Sequence, residues 1–208
     1  IPLRLVGSEM CIRDRVIPYE YSDIELDDGE VIIDWLANQP WSTGNIGMFG
    51  ISWGGFNSIQ MAMRNPSALK AFVAVMATEY LYAEDVHYID GIMVAGDSWM
   101  MSNDLNNSIP GAPNFTMNDE WYRNRFDVEP SVYTYMREQR DGEFWDRASA
   151  KNKYDSIKVP GYHIGGWYDG YRNSLPRMIE NVSAPVKAMI GPWAVSYTHL
   201  TLPTNREV

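Results

Sequence analysis

Ser52 is the residue whose surroundings most clearly indicate chemistry, because it lies in the pentapeptide Gly50-Ile51-Ser52-Trp53-Gly54. A Gly-x-Ser-x-Gly sequence between a strand and a helix can form a nucleophile elbow, a sharp turn that raises the serine hydroxyl above the edge of a sheet. The flanking positions need glycine, because a side chain in so tight a turn would clash. The alternative is an ordinary glycine-rich turn, since the pentapeptide also occurs by chance. We predict that Ser52 is a nucleophile.

The residues on either side of the pentapeptide supply the context that an elbow needs. Residues 45–49 form a short apolar stretch, which predicts a buried strand. Residues 55–64 predict a helix, and the pair Asn65-Pro66 ends it. A strand, this turn and then a helix are typical of the α/β-hydrolase fold.

Asp169 is the predicted acid of a catalytic triad. A serine hydroxyl needs a base to take its proton, and that base needs a carboxylate to orient it. In the α/β-hydrolase fold these groups follow the chain order serine, carboxylate, histidine. Asp169 lies in a glycine-rich loop at 165–170, directly after a strand predicted at 159–164. The alternative is an aspartate that caps the following helix.

The histidine base is expected after the next strand, which is predicted at 184–190. The sequence Gly-Pro-Trp follows at 191–193 without a histidine behind it, and His199 comes too late. His163 lies inside a predicted strand and precedes the predicted acid, so we expect a core or edge histidine. His87 could line a pocket or make a structural hydrogen bond. Neither of these two replaces the missing base.

The alternation of strands and helices predicts the α/β class, with a doubly wound and mostly parallel sheet. The predicted elements are a helix at 23–38, a strand at 45–49, a helix at 55–64, strands at 69–75 and 159–164, a helix at 171–181 and a strand at 184–190. The first helix is expected to bury the face that carries Val31, Ile32, Trp35 and Leu36. Ligands bind at the carboxyl ends of the strands in such sheets, so we expect Ser52 there.

A long insert at 97–149 interrupts the pattern and is rich in aromatic residues and methionine. An insert that leaves from the carboxyl edge of the sheet would form a helical cap, or lid, over the serine. Aromatic and methionine side chains suit an adaptable apolar pocket. The alternative is that these side chains form the core of a small helical subdomain.

The two ends of the chain can be back-translated into complementary DNA. Residues 10–14 back-translated as ATG TGT ATA AGA GAC have the reverse complement GTC TCT TAT ACA CAT, which encodes residues 195–199. Both ends resemble translated sequencing adapters, and we exclude them from fold reasoning. The predicted division of the chain is an adapter-derived segment at 1–15, a hydrolase core at 16–96 and 150–194 with the insert at 97–149, and a second adapter-derived segment at 195–208. We expect an internal fragment of a longer protein.

The composition narrows the possible partners. The net charge of −10 argues against binding to nucleic acid or to an anionic membrane, and no apolar run is long enough to span a bilayer. The one cysteine, Cys11, lies in the excluded N-terminal segment, so the remaining sequence predicts no disulfide or cysteine metal site. The predicted chemistry needs no metal or organic cofactor. Composition predicts neither the oligomeric state nor the compartment.

Three segments together resemble the CocE/NonD group of cocaine-esterase-like acyl hydrolases, which shares its catalytic domain with Xaa-Pro dipeptidyl peptidases. They are Gly-Met-Phe-Gly-Ile-Ser-Trp-Gly-Gly at 47–55, Gly-Gly-Trp-Tyr-Asp-Gly at 165–170 and Ile-Gly-Pro-Trp-Ala at 190–194. The resemblance implies a triad of Ser52, Asp169 and a histidine, with the backbone N–H of Trp53 as one oxyanion donor. A tyrosine upstream of this sequence would supply the second donor.

The departures from this family pattern are equally informative. Relatives carry the histidine immediately after Gly-Pro-Trp-x, and Val195 stands at that position here. The N-terminal strands of the catalytic domain and the C-terminal jelly-roll domain of the family have no counterpart in this sequence. We therefore expect the chain as written to lack triad activity.

The predicted function is that of a serine hydrolase that cleaves an ester or amide acyl bond through an acyl-enzyme. The substrate would be a small acyl ester or amide, or a short peptide. A first alternative is an Xaa-Pro dipeptidyl peptidase, which needs carboxylates to hold the substrate amine. Asp97, Asp104, Asp119 and Glu120 are weak candidates for that role. A second alternative is a non-catalytic binding protein on the same scaffold.

Overall fold

The computed structural model describes residues 19–96, 98, 116–127 and 129–195. The helices in these ranges are α1 (Asp23–Ala37), α2 (Trp53–Arg64), α3 (Leu81–Glu84), α4 (Asp119–Phe126), α5 (Ser131–Arg137), α6 (Glu143–Asp146) and α7 (Ser174–Asn181). The strands are β1 (Ile46–Ile51), β2 (Leu69–Val75), β3 (Tyr88–Ile89), β4 (Ile92–Met93), β5 (Gly161–Gly166) and β6 (Val186–Gly191). A short 3-10 helix spans Tyr154–Ser156.

The central sheet has four strands in the order β1-β2-β5-β6, and every neighbouring pair is parallel. Strands β3 and β4 form a separate antiparallel pair. The predicted α/β class with a parallel sheet is therefore confirmed. Because the strands are parallel, the loops that follow β1, β2, β5 and β6 all leave from one edge. The predicted site residues follow β1 and β5.

The predicted sheet elements agree closely with the observed ones, and the differences lie at their ends. Strand β2 spans the predicted residues. Strand β5 ends at Gly166 rather than at 164, because both glycines of its last turn remain extended and pair with β6 through Gly165↔Ile190 and Gly166↔Gly191. Helix α7 begins at Ser174 rather than at 171, since residues before it form turns.

Helix α1 buries only part of the predicted face, since Leu36 is buried and Ile32 is half-buried but the other two predicted residues are exposed. Leu26, Ile33 and Leu36 are buried, whereas Val31 is 67% exposed and Trp35 57% exposed. The helix carries two apolar stripes, and periodicity cannot tell which stripe meets the rest of the chain. The stripe that packs is the one that also contains small Gly29.

The interface between α1 and α2 is close at one point. A Cβ atom added to Gly29 would lie 2.8 Å from the Met61 sulfur, so glycine lets the two helices approach. Arg64 at the end of α2 binds three carboxylates of α1, those of Asp23, Asp27 and Glu30. This contact fixes α2, the helix that begins directly after Ser52.

Among the described helices, no segment is both long and apolar enough to cross a lipid bilayer.

Candidate active site

Ser52 lies in a strained turn between β1 and α2. Its backbone has φ 53° and ψ −120°, a conformation that side-chain-bearing residues rarely adopt. The Ser52 N–H donates to the Val75 carbonyl of the neighbouring strand over 2.9 Å, which anchors the turn to β2. The serine is half-buried rather than enclosed in the sheet. This is the geometry that the pentapeptide predicts for an elbow.

Gly50 is required by the close return of the chain after Ser52. A Cβ atom at position 50 would lie 2.1 Å from both the carbonyl carbon and the oxygen of Gly54. Gly55 is similarly confined, since a Cβ there would lie 2.8 Å from the Ala77 side chain and 2.9 Å from the Val75 oxygen. The glycines thus allow α2 to start directly over β1.

Gly50→Ala is expected to lower the free energy of unfolding of this chain by about 3 kcal/mol, because the added methyl overlaps backbone that cannot move without opening the turn. Urea unfolding monitored by circular dichroism would measure the change. Gly47→Ala on the same strand is the matched control, since the nearest atom to a Cβ there would be the Ala71 oxygen at 3.9 Å. Equal stability of the two variants would contradict the close-return geometry.

Asp169 is buried in the loop after β5, with only 2% of its surface exposed. Its Oδ1 accepts a hydrogen bond from the Tyr171 N–H at 2.9 Å, and its Oδ2 accepts one from the Val195 N–H at 2.7 Å. The N-cap position of the following helix belongs to Asn173, so Asp169 is not its cap. The carboxylate instead shapes its own loop and joins that loop to the one after β6.

The loops after β5 and β6 are held together by further hydrogen bonds. The Trp193 indole N–H donates to the Gly165 carbonyl at 2.7 Å, and the Trp167 N–H donates to the Gly191 carbonyl at 2.8 Å. The Trp193 ring packs directly against Gly191, where a Cβ would lie 2.4 Å from it. Position 195, where relatives are expected to carry histidine, is therefore held beside Asp169.

Val195 is the first residue of the segment predicted to derive from an adapter, and its side chain is 41% exposed. Its backbone makes the contact with Asp169, which any residue at this position could make. Few specific core contacts are expected for residues 4–15 and 195–208, and of these residues all except Val195 lie outside the described part of the chain. Their origin stays a prediction.

Ser52 and Asp169 thus follow β1 and β5, the two strands that flank β2, and both lie at the same edge of the sheet. This is the arrangement expected for a nucleophile and its triad acid. Their catalytic roles remain predictions.

His163 is a core residue of β5. It is 2% exposed, and its ring meets Phe72 edge-on with the ring centroids 5.3 Å apart. Burial lowers the pKa of His163 to about 4, although the nearby Glu79 carboxylate acts in the opposite direction. The expectation of a core histidine is confirmed. Its Nε2 atom has no hydrogen-bond partner among the described residues.

His87 is also structural. It is 1% exposed and stacks on the Tyr135 ring with the centroids 3.7 Å apart. Its Nε2 lies 3.2 Å from a carboxylate oxygen of Glu20, and its Nδ1 lies 3.1 Å from the Ser98 hydroxyl. Burial raises the pKa of the adjacent Asp85 carboxyl to about 6, and the charge of His87 partly offsets this. Of the two uses foreseen for His87, the structural one fits these contacts.

The second half of the insert packs as a core. Tyr135 of α5 and Trp145 of α6 are buried, and Trp145 meets Tyr88 edge-on with centroids 4.9 Å apart. The Tyr135 hydroxyl accepts a hydrogen bond from the Glu20 N–H, a contact across 115 residues of chain. Tyr88, Tyr135 and Trp145 therefore belong to the same buried cluster as residues of the sheet and its helices, such as Phe72 and Ile59, and they are not the separate core of a helical subdomain.

The first half of the insert lies largely outside the described residues, including Asp97 and Asp104. Helix α4 presents Tyr122 and Phe126 to solvent, and Asp119 and Glu120 lie exposed in its first turn. A lid over Ser52 and an amine-binding role for these carboxylates stay predictions.

Sequence reasoning missed Glu25, a buried carboxylate of α1 whose Oε1 accepts a hydrogen bond from the Trp53 indole N–H at 2.7 Å. An acidic residue in the first turn of a helix ordinarily complements the helix dipole, so no sequence signal separates it from its neighbours.

Arg177 of α7 was also missed. It joins Glu79 and Glu84, which follow β2, to the helix behind the acid loop. Burial alone would lower the pKa of Arg177, but the hydrogen bonds and charges of Glu79 and Glu84 outweigh it and raise the pKa. Within the described residues no group of three or more His, Cys, Asp or Glu side chains is placed to hold a metal ion.

Comparisons with known proteins agree with this geometry. The family model of the X-Pro dipeptidyl-peptidase (S15 family) matches residues 16–197. Cocaine esterase from Rhodococcus sp. (strain MB1 Bresler) is 26% identical over 203 residues, which cover 84% of this chain and 35% of the esterase. The chain thus spans about a third of the length of this curated relative.

Two solved structures share the fold. A CocE/NonD family hydrolase from Staphylococcus aureus superposes with a TM-score of 0.67 at 21% identity, covering 86% of this chain and 30% of the hydrolase. An aminopeptidase from the marine sediment archaeon Thaumarchaeota archaeon gives a TM-score of 0.60 at 19% identity, covering 81% of this chain and 32% of the aminopeptidase. Because the family model spans all of the described residues, with the elbow and the acid loop inside it, this chain belongs to the X-Pro dipeptidyl-peptidase (S15) family of CocE/NonD-like α/β hydrolases.

Proposed function

We propose that the protein to which this chain belongs is a serine hydrolase that cleaves an ester or amide acyl bond through an acyl-enzyme. The observation that carries the proposal is the strained, positive-φ backbone of Ser52 at the sheet edge where Asp169 also lies. Strain of this kind persists only where the surrounding structure enforces it, and it clusters at active sites. Here Gly50, Gly54 and Val75 enforce it.

In the proposed mechanism the Ser52 hydroxyl attacks the acyl carbonyl and gives its proton to a histidine. Asp169 orients that histidine, and the backbone N–H of Trp53 stabilises the oxyanion. The protonated histidine then donates its proton to the leaving alcohol or amine, which leaves the acyl group on Ser52. Water, deprotonated by the same histidine, releases the acid and restores the serine.

This chain has Val195 at the position where the histidine base would stand. We therefore also propose that this chain does not hydrolyse substrate by a triad mechanism. The proximity of Val195 to Asp169 supports position 195 as the place for the base. The insert at 97–149 is proposed to cap the site.

An Xaa-Pro dipeptidyl peptidase is the second candidate, favoured by the match of residues 16–197 to the X-Pro dipeptidyl-peptidase (S15) family. Both candidates use the same triad and differ only in the substrate that the pocket accepts. A carboxylate that binds the substrate's free amine would mark the peptidase.

The test is a substrate panel on the complete protein that contains this chain. The panel comprises p-nitrophenyl esters of increasing acyl length and Xaa-Pro p-nitroanilides, together with a fluorophosphonate probe that labels activated serines. We expect ester hydrolysis and a labelled peptide that contains Ser52. Labelling should be lost in Ser52→Ala and kept in Ser67→Ala, an exposed serine on the turn before β2. Preference for the anilides would favour the peptidase, and no labelling would favour a non-catalytic protein.

A further inference from the structure

Glu25 lies beside the nucleophile elbow and contacts Trp53, the residue after Ser52, although no step of the proposed mechanism uses it. The side chain is 4% exposed and lies in the first turn of α1. Its Oε1 accepts hydrogen bonds from the Trp53 indole N–H at 2.7 Å and from the Asn57 amide at 3.0 Å. Its Oε2 accepts one from the backbone N–H of Tyr21 at 2.8 Å.

These partners require both oxygens of Glu25 to act as acceptors. All three partners are N–H donors, and hydrogen bonds to an ionised acceptor are roughly twice as strong as those between neutral groups. Burial raises the pKa of Glu25, while the hydrogen bonds from Trp53, Asn57 and Tyr21 act against that rise. A carboxamide at this position would turn one acceptor into a donor and leave at least one N–H facing another.

The bond to Trp53 acts on the residue that immediately follows the nucleophile. Trp53 is the first residue of α2, and the first N–H groups of a helix have no acceptor within it. Asn57 lies one turn later on the same face, so a single oxygen of Glu25 holds two successive turns of α2. This fixes the rotation of α2 about its axis and with it the direction of the Trp53 backbone N–H.

Glu25 is itself held firmly. The close contact between Gly29 and Met61 sets the distance between α1 and α2 one turn further on. Tyr21, whose N–H binds Glu25, stacks on Phe56 of α2 with the ring centroids 5.2 Å apart. The packing of α1 and Tyr21 therefore holds the Glu25 carboxylate in place, and the carboxylate restrains the Trp53 side chain.

We propose that Glu25 is a positioning residue of the oxyanion hole, which holds the Trp53 indole and thereby aims the Trp53 backbone N–H at the developing oxyanion. The proposal rests on the proposed function, because it assigns Glu25 to the same reaction. Displacing the donor by a fraction of an ångström weakens its hydrogen bond to the transition-state oxyanion more than its contact with the ground-state carbonyl, so the loss falls on kcat.

The experiment uses the complete protein and compares Glu25→Gln with Glu30→Gln. Glu30 also lies on α1 and also binds α2, through Arg64, but it does not touch Trp53. We expect Glu25→Gln to lower kcat about thirtyfold with KM changed less than about threefold. This is less than the roughly hundredfold to thousandfold loss on removing an oxyanion donor, because the donor is displaced and not removed. The affinity for a boronic acid transition-state analogue should fall by a similar factor. Glu30→Gln should leave both quantities near those of the parent protein.

Trp53→Phe keeps the aromatic ring and Glu25 but removes the indole N–H. We expect a similar loss in kcat, and we expect the double variant with Glu25→Gln to lose no more than the larger single loss, as for two residues acting through one bond. Should Glu25→Gln fail to fold, Trp53→Phe alone tests the bond by the same two measurements.

The proposal is overturned if Glu25→Gln, or Trp53→Phe in its place, folds and keeps both kcat and boronic acid affinity. It is also overturned if the two losses are additive, or if Glu30→Gln lowers kcat equally, since the effect would then be general loosening of α1 against α2. Failure of the proposed function is a separate result, in which Ser52→Ala retains the activity of the parent protein.

Discussion

Ser52→Ala in the complete protein is expected to lower kcat for ester hydrolysis by about 10⁶-fold, and Asp169→Asn by about 10⁴-fold. Alanine removes the attacking oxygen and stops formation of the acyl-enzyme. Asparagine keeps the size of the side chain but donates where a carboxylate oxygen now accepts, and it no longer stabilises a charged histidine. Asp169 is buried and accepts a backbone N–H on each oxygen, so the amide group of asparagine would set a donor against one of those N–H groups. Steady-state kinetics with a p-nitrophenyl ester measures both losses.

Asp155→Asn is the control for Asp169→Asn, because Asp155 lies in the 3-10 helix before β5 and binds the Ser183 hydroxyl rather than the loop after β6. Its kcat should match that of the parent protein. The triad assignment fails if Asp169→Asn keeps more than about a tenth of the activity while Ser52→Ala abolishes it. Another carboxylate would then orient the base.

Val195→His is expected to raise the hydrolysis of p-nitrophenyl acetate by this chain about a hundredfold, the lower end of what a positioned general base contributes. The Val195 N–H already donates to Asp169 Oδ2 at 2.7 Å, so an imidazole at position 195 starts beside the carboxylate that would orient it. The Val195 side chain is 41% exposed, which leaves room for the larger ring. Initial rates at pH 8 measure the change, because the imidazole is then neutral.

Val195→Gln is the matched control, since glutamine is polar and of similar length but is not a base. Free imidazole can itself attack an activated ester, so the gain must also disappear when Ser52→Ala is combined with Val195→His. A gain that survives in that double variant would show that the introduced histidine, and not Ser52, attacks the ester. No gain at all would indicate that the base enters from another part of the complete protein.

The elbow and the parallel sheet could be predicted from the sequence because both are encoded locally. A glycine is needed at position 50 because the chain returns within 2.1 Å of any Cβ placed there. The Gly-x-Ser-x-Gly pentapeptide at 50–54 is enough to predict this requirement. The strands of a parallel sheet are apolar runs with turns at their ends, so β2 was predicted to the residue. Asp169 was predicted as the triad acid from its place after a strand and from the chain order of the fold, and the family resemblance implies the same role.

The sequence by itself thus determined the fold class, the position of Ser52 and the order of Ser52 and Asp169 along the chain. The tertiary structure alone decided which stripe of α1 is buried, that His87 lies against Glu20 rather than in a pocket, and that Glu25 holds Trp53. These features depend on contacts between segments far apart in sequence. Hydrophobic periodicity reports which side chains prefer burial, but the partner that buries them is fixed only when the whole chain packs.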